Sequence, residues 1–325
     1  MIHFFRVWYL EYLKQEKLVS KKILFTGLDD AGKTSIILAL KREFSKIANI
    51  QPTKGAQRTV FEFMGKDISE WDLGGQQTYR ISYLKNPDKY FAGTEIAVYV
   101  IDIQNEDRIS ESLSYLNDVI TEFKKLDISP PINVFFHKFD PILVESTKNE
   151  IYNFTNDLAK KIKKYTKYKE LYFFNTSIFK IQSIMSAVSQ ILLELYPKSK
   201  LIKKTIEEFA VKLNCEGLVI IDNNSLLIGS YFKDNTTGEI LTRSIPYFLT
   251  LNDSFQIEGI EQKNEDQMVV RRFGKHFLFK QISLKDRGIP YYLLFLKNDN
   301  PWDLYFSNKD FIAFIQILRD ILYSK

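Results

Sequence analysis

Cysteine is almost absent from the 325 residues. The single Cys215 cannot form an intrachain disulfide, so a disulfide-stapled fold is excluded and a reducing, cytoplasmic setting is expected. No apolar run approaches the ~20 residues that a membrane-spanning helix requires. The N-terminus lacks the basic start and small-residue cleavage site of a signal peptide. It also lacks glycine at position 2, which excludes myristoylation there. Internal repeats and low-complexity segments are missing. The basic residues form no aromatic-interleaved patch, which argues against a nucleic-acid partner.

What is present is ordinary in bulk. Apolar residues make up 45% and charged residues 26%, as in a globular protein. The aromatic share, mostly Phe and Tyr, favours well-filled cores. Net charge is +5 with pI about 8.9, compatible with anionic ligands or a membrane surface without selecting either. The length exceeds what one core usually supports, so two domains are expected. In residues 1–17, Ile2, Phe5, Tyr9, Tyr12 and Leu13 fall at helical spacing, with Arg6, Glu11 and Lys14 elsewhere. That reads as an amphipathic helix for a membrane surface, a partner or the second domain. Its low basic content favours packing on the second domain.

The most informative stretch is Gly27-Leu28-Asp29-Asp30-Ala31-Gly32-Lys33-Thr34-Ser35, between an apolar run at 22–26 and a helical run at 36–41. Strand, glycine-bounded loop ending in Lys-Thr, then helix is the setting of a phosphate-binding loop. Gly27 and Gly32 let the backbone N–H groups of the loop turn into one anion nest. The following helix adds its positive end. Lys33 is placed to reach the outer phosphates, and the Thr34 hydroxyl to ligate Mg²⁺.

From residue 21 to about 196 strand and helix alternate. Strands are expected at 22–27, 58–63, 67–72, 95–102, 132–137 and 170–175, and helices at 33–45, 107–126, 145–166 and 180–195. This pattern predicts an α/β domain with a mostly parallel six-stranded sheet and helices on both faces. Strands 58–63 and 67–72 read as an antiparallel hairpin turning through 64–67. Pro197–Lys200 marks a boundary. Beyond it helices are expected at 200–214, 238–252 and 307–323, with strands at 217–222, 226–232, 267–273, 276–283 and 290–297. Adjacent strands with helices set apart predict an α+β domain on an antiparallel five-stranded sheet. The lysines at 160, 161, 163, 164, 167 and 169 read as a solvated helix end.

Four further stretches narrow the nucleotide. Trp71-Asp72-Leu73-Gly74-Gly75-Gln76 follows a strand. Asp72 is placed to hold the Mg²⁺ shell, the Gly75 N–H to meet a γ-phosphate, and Gln76 to orient an attacking water. Thr53, in Pro52-Thr53-Lys54-Gly55, offers a second hydroxyl ligand to Mg²⁺. His137-Lys138-Phe139-Asp140 ends a core strand. There the Asp140 carboxylate can accept two hydrogen bonds from a guanine edge, which adenine cannot offer. The Lys138 stem is placed to cover the base. His137 is expected to orient the loop at a distance from the phosphates. Thr176-Ser177-Ile178 ends the last strand and could present a backbone N–H to guanine O6. Arg58 and Arg80 lie near these segments with no fixed aim.

Together these stretches resemble the Ras-like small GTPases. The loop 27–35, Pro52–Gly55 and Trp71–Gln76 look like the Arf branch. His137-Lys138-Phe139-Asp140, Thr176-Ser177-Ile178 and the long stretch Tyr83–Phe91 are similar to the Rag/Gtr branch. So is the presence of a second α+β domain, which looks roadblock- or longin-like. The resemblance implies an N-terminal helix at 1–17, a small GTPase domain at 18–197 and a dimerisation domain at 198–325. It implies binding of GTP and GDP with Mg²⁺ and slow GTP hydrolysis. Gln76, Lys33 and Thr53 would be the catalytic set. Thr34, Thr53 and Asp72 would be the metal set. Residues 27, 29–35, 75, 137, 138, 140, 177 and 178 would line the nucleotide. A homo- or heterodimer, a roadblock-type scaffold, a GTPase-activating partner and an exchange factor are implied as partners, and peripheral membrane contact stays open. Two other readings stand beside this one: a nucleotide-locked, non-catalytic dimerising scaffold and an Arf-type membrane-recruited GTPase.

Overall fold

The computed structural model describes residues 20–147, 150–258, 267–284, 290–298 and 309–323. The helix expected over 1–17 lies outside these residues. The described chain forms two compact units. The first runs to Ile181 without Leu40–Arg42, and the second holds Leu40–Arg42 and the chain from Gln182.

The first unit carries β1 (Lys21–Gly27), α1 (Lys33–Leu40), α2 (Phe44–Ile47), β2 (Ala56–Phe63), β3 (Lys66–Leu73), α3 (Gln77–Lys85) and α4 (Pro87–Tyr90). It continues with β4 (Thr94–Asp102), a 3₁₀ turn at Glu106–Arg108, α5 (Ile109–Lys125), β5 (Ile132–His137), α6 (Pro141–Thr147), α7 (Glu150–Thr166) and β6 (Leu171–Thr176). The strands form one six-stranded sheet in the order β2-β3-β1-β4-β5-β6. Only the β2–β3 pair is antiparallel, as the sequence pattern predicts. Every residue of β5 is buried, whereas β2 at the edge is largely exposed. Central parallel strands are covered on both faces and so read as unbroken apolar runs. The amphipathic α5 buries Leu113, Leu116, Ile120 and Phe123, spaced three and four apart as one helix face requires.

Several boundaries differ from expectation for local reasons. The helix predicted over 33–45 stops at Leu40, and Arg42 takes a left-handed conformation with φ 59° that α-helix cannot continue through. The β2–β3 turn is only Met64-Gly65, both at positive φ, a two-residue hairpin turn. The helix expected at 145–166 is instead α7, preceded by α6 with Pro141 at its first position, where proline's missing N–H costs nothing. Helix α3 was not anticipated. It buries only Arg80 and Tyr83, too thin a stripe to register as a period.

The second unit comprises α8 (Ile181–Glu194), α9 (Ser199–Lys212), β7 (Gly217–Asp222), β8 (Leu227–Phe232), α10 (Asn235–Ile257), β9 (Gln267–Arg272), β10 (Lys275–Ile282), β11 (Tyr291–Lys297) and α11 (Lys309–Tyr323). Its sheet is antiparallel throughout, in the order β8-β7-β11-β10-β9. Ile202 and Ile206 of α9 lie over Gly229, while Leu241 and Thr237 of α10 lie over Gly217. Those two glycines belong to opposite faces of the pleat, so helices cover both sides. Phe209 stacks on Phe314 at 3.9 Å between α9 and α11. On the α10 side Phe248, Phe279 and Tyr292 stack in succession at 5.4 and 4.9 Å. The expected α+β architecture with a five-stranded antiparallel sheet is what forms.

Candidate functional site

The carboxyl ends of β1, β3, β5 and β6 open on one cavity of about 500 Å³, the place where ligands of parallel α/β sheets bind. Its walls hold Asp29, Asp30, Gly32, Lys33, Thr34, Ser35, Thr53, Gly75, Gln76, His137, Lys138, Asp140 and Ile178, all predicted from sequence. Gly27, Ala31, Asp72 and Ser177 do not line it. Gly27 ends β1, Ala31 is buried, and Asp72 and Ser177 hold side chains that do face the cavity. Ile50, Gln51 and Phe179 also line the cavity. Apolar and amide side chains in loops carry no chemical signature, so these were missed.

At one end the phosphate loop and its partners converge. The Lys33 ammonium is buried and donates to the Gly27 and Leu28 carbonyls at 3.2 and 2.6 Å. Burial pushes its pKa down to about 8, against the pull of Asp72, Asp29 and Asp30. An entering polyphosphate would favour the charged form again. The Thr34 hydroxyl lies 2.6 Å from the Asp72 carboxylate and 2.6 Å from the Thr53 hydroxyl, and Thr53 reaches the same carboxylate oxygen at 3.4 Å. Two hydroxyls and one carboxylate form a hard-oxygen donor set. That set suits Mg²⁺, which takes few protein ligands and completes its shell with phosphate and water.

Glycine is required at two points by close approach. A Cβ on Gly75 would overlap the backbone of Leu28 and Asp29. The segment before α3 therefore lies directly on the phosphate loop, with Gln76 at the helix N-cap. The Gly74 N–H donates to the Gly55 carbonyl at 2.9 Å, which joins the Thr53 segment to this one. Gly32 has φ 93°, and a Cβ there would stand 2.8 Å from His137 Nε2 and closer still to Cδ2. The expectation that His137 sits away from the phosphates is thus corrected. The strand order carries the end of β5 over the phosphate loop, and the imidazole packs on it. His137 Nδ1 pairs with the Thr176 hydroxyl at 3.0 Å, and burial, helped by Lys138, holds its pKa down to about 4. The ring is neutral at physiological pH.

At the other end Asp140 is held from both sides. Its Oδ1 accepts from the Ser177 hydroxyl at 2.5 Å and its Oδ2 from Gln104 Nε2 at 2.9 Å. Gln104 also donates to the Lys138 carbonyl at 2.8 Å, and Lys138 Nζ pairs with Asp102 at 2.6 Å. Gln104 was not singled out in the sequence. The signal was its place two residues after the end of β4. An ionised carboxylate has about four acceptor positions, so two fixed donors leave room for a guanine edge.

The arginines acquire definite partners. Arg58 donates to Ser69 at 2.9 Å and lies over Trp71. Arg80 is buried, pairs with Glu111 and lies over Tyr115 at 5.1 Å. Neither lines the cavity.

A family profile described as "Gtr1/RagA G protein conserved region" matches residues 22–244. The chain belongs to the Gtr1/RagA G-protein family. It is also 31% identical over 185 residues to the ADP-ribosylation factor-like protein alp41 of Schizosaccharomyces pombe, across 55% of this chain and 90% of that protein. To ADP-ribosylation factor-like protein 3 of Chlamydomonas reinhardtii it is 39% identical over 119 residues, 37% of this chain and 63% of that one. A solved structure of the Arl6 BBS3 small GTPase from Trypanosoma brucei with bound nucleotide analogue GppNp overlaps 54% of this chain and 96% of its own, at 17% identity and a TM-score of 0.41. This Gtr1/RagA-type chain is therefore a small GTP-binding protein of the Ras superfamily, and the Arf-like and Rag-like motifs read in the sequence have relatives in both groups.

Proposed function

We propose that the chain is a guanine-nucleotide switch that binds GTP and GDP with Mg²⁺, hydrolyses GTP slowly and signals through partners. The observation that carries this reading is the convergence of Thr34 and Thr53 on Asp72 beside the phosphate loop. Thr34, Thr53 and Asp72 would hold Mg²⁺, which would supply charge neutralisation on the phosphates. Asp72 fixes the two threonine hydroxyls side by side. Lys33 turns from the loop carbonyls to the phosphate oxygens. Gly75 brings its N–H to the γ-phosphate, and Gln76 orients the water that attacks in line. Asp140 accepts from guanine N1 and N2, with Gln104 and Ser177 fixing its plane. Among the described residues no arginine lines the cavity, which supports slow turnover; an arginine from a partner adds roughly 10³- to 10⁵-fold in related enzymes.

Dimerisation through residues 198–325 belongs to the same reading. Tyr247, Leu251 and Phe255 are exposed at four-residue spacing on α10, and the edge strand β9 exposes Val269 and Val270. An apolar helix stripe and a strand that ends the sheet among the described residues are surfaces a partner would cover. No helix among the described residues is long and apolar enough to cross a membrane.

The test is mass analysis of the purified full chain under native and denaturing conditions. The expected result is co-purifying GDP or GTP and a dimeric native mass. Gln76→Leu is expected to keep GTP binding and lose single-turnover phosphate release. Undiminished release would remove Gln76 from its assigned place.

A further inference from the structure

Asp29 lines the same cavity as Thr53, Gly75 and Gln76, so its negative charge lies beside the end of the site where a third phosphate would sit. Two anions there repel. The structure supplies a counter-charge from outside the phosphate loop. Arg108, at the start of α5, donates through Nη2 to Asp29 Oδ1 at 2.8 Å and through Nη1 to the Asp29 carbonyl at 3.4 Å. Its Nε donates to Glu111 at 3.0 Å. Glu111 also pairs with Arg80 of α3. The guanidinium therefore has a fixed aim. Burial alone would raise the Asp29 pKa, but the Arg108 hydrogen bond and charge win and hold it below the usual carboxylate range.

We propose that Arg108 is a positioning residue that neutralises Asp29 and holds its carboxylate against α5, so that the site accepts a nucleoside triphosphate beside it. The inference rests on the guanine-nucleotide reading above and assigns to one ion pair the balance between tri- and diphosphate. On this proposal a diphosphate stops short of the Asp29 end, so its affinity is expected to be independent of the pair. The row Asp29–Arg108–Glu111–Arg80 also ties the phosphate loop to α3, the helix that follows Gln76.

The experiment is calorimetric titration of the full chain, in Mg²⁺ buffer, with GDP and with a non-hydrolysable GTP analogue. Arg108→Ala is expected to weaken the analogue roughly tenfold and leave GDP within about twofold. Adding Asp29→Asn to Arg108→Ala removes the stranded carboxylate and is expected to restore most of the analogue's affinity. A merely structural ion pair would not be rescued by losing its second member. Equal weakening of both nucleotides, or no rescue in the double variant, would overturn the inference. Wild-type protein that bound neither nucleotide would overturn the guanine-nucleotide reading itself, and this inference with it. Retained GDP binding by the variants reports that they fold.

Discussion

Gly32→Ala tests the contact between the phosphate loop and the end of β5. The new methyl would meet the His137 ring at Cδ2 and Nε2, and φ 93° is a backbone conformation that alanine disfavours. The backbone part amounts to about 1–3 kcal/mol. Forcing a methyl against a packed ring adds about 1–3 kcal/mol. Together they predict guanine-nucleotide affinity lower by roughly 30-fold to 10⁴-fold. The two parts separate in a double-mutant cycle with His137→Ala. Removing the ring relieves the steric part and leaves the backbone part, so Gly32→Ala should cost about 1–3 kcal/mol less in the His137→Ala background. The assay is fluorescence titration of all four proteins with a labelled GDP, with thermal melts to confirm folding. Effects that add within about 0.5 kcal/mol, or a harmless Gly32→Ala, would refute the packing of His137 on the loop.

Three further outcomes follow from the geometry. Gly75→Ala cannot keep its backbone on Leu28 and Asp29; it should weaken a GTP analogue more than GDP, and equal weakening in titration would count against the role of that contact. Gln104→Ala deletes a donor to the charged Asp140; such bonds contribute about 1.5–3 kcal/mol, so discrimination of GDP over ADP should fall by roughly tenfold or more, read in competition binding. Asp222 is fully buried, and burial, only partly offset by the Leu226 and Asn224 N–H groups, pushes its pKa up to about 7. A raised folded-state value means that stability is full at acid pH, below the unfolded value, and is lost as pH rises through about 7, by on the order of 4 kcal/mol. Asp222→Asn should flatten urea unfolding of the second unit between pH 5 and 8, and an unchanged slope would refute the assignment.

The phosphate loop was legible because its chemistry is contiguous: two glycines, a lysine and a threonine between strand and helix need no tertiary information. Thr53 was legible through its order along the chain, in the loop between the first helix and the hairpin, and Asp72 and Asp140 through their places at strand ends. Arg108, Gln104 and Phe179 were not, because each acquires its role from a partner on another element: Asp29, Asp140 and the cavity wall, respectively. His137 shows the same limit from the other side. Its place in a motif was plain, but its contact with Gly32 depends on the spatial order of β1, β4 and β5. Helix α3 escaped notice because it buries a tyrosine and an arginine rather than an apolar stripe, and Arg80 is soluble inside only through Glu111 and Tyr115. In the second unit the strands were legible from apolar runs set between turn residues, and the Phe273-Gly274 turn took the two positive φ values such a hairpin needs.

The mutual hydrogen bonds of Thr34, Thr53 and Asp72 make three separate stretches of chain answer to one another. Thr34 lies at the start of α1, Thr53 in the loop before β2 and Asp72 near the end of β3, and the Gly55–Gly74 link adds a second tie between the last two. A displacement at any one of them therefore strains the other two. Mechanically the cluster is a single knot rather than three loops, so a pull on the Thr53 segment from outside is also a pull on the strand end at Asp72.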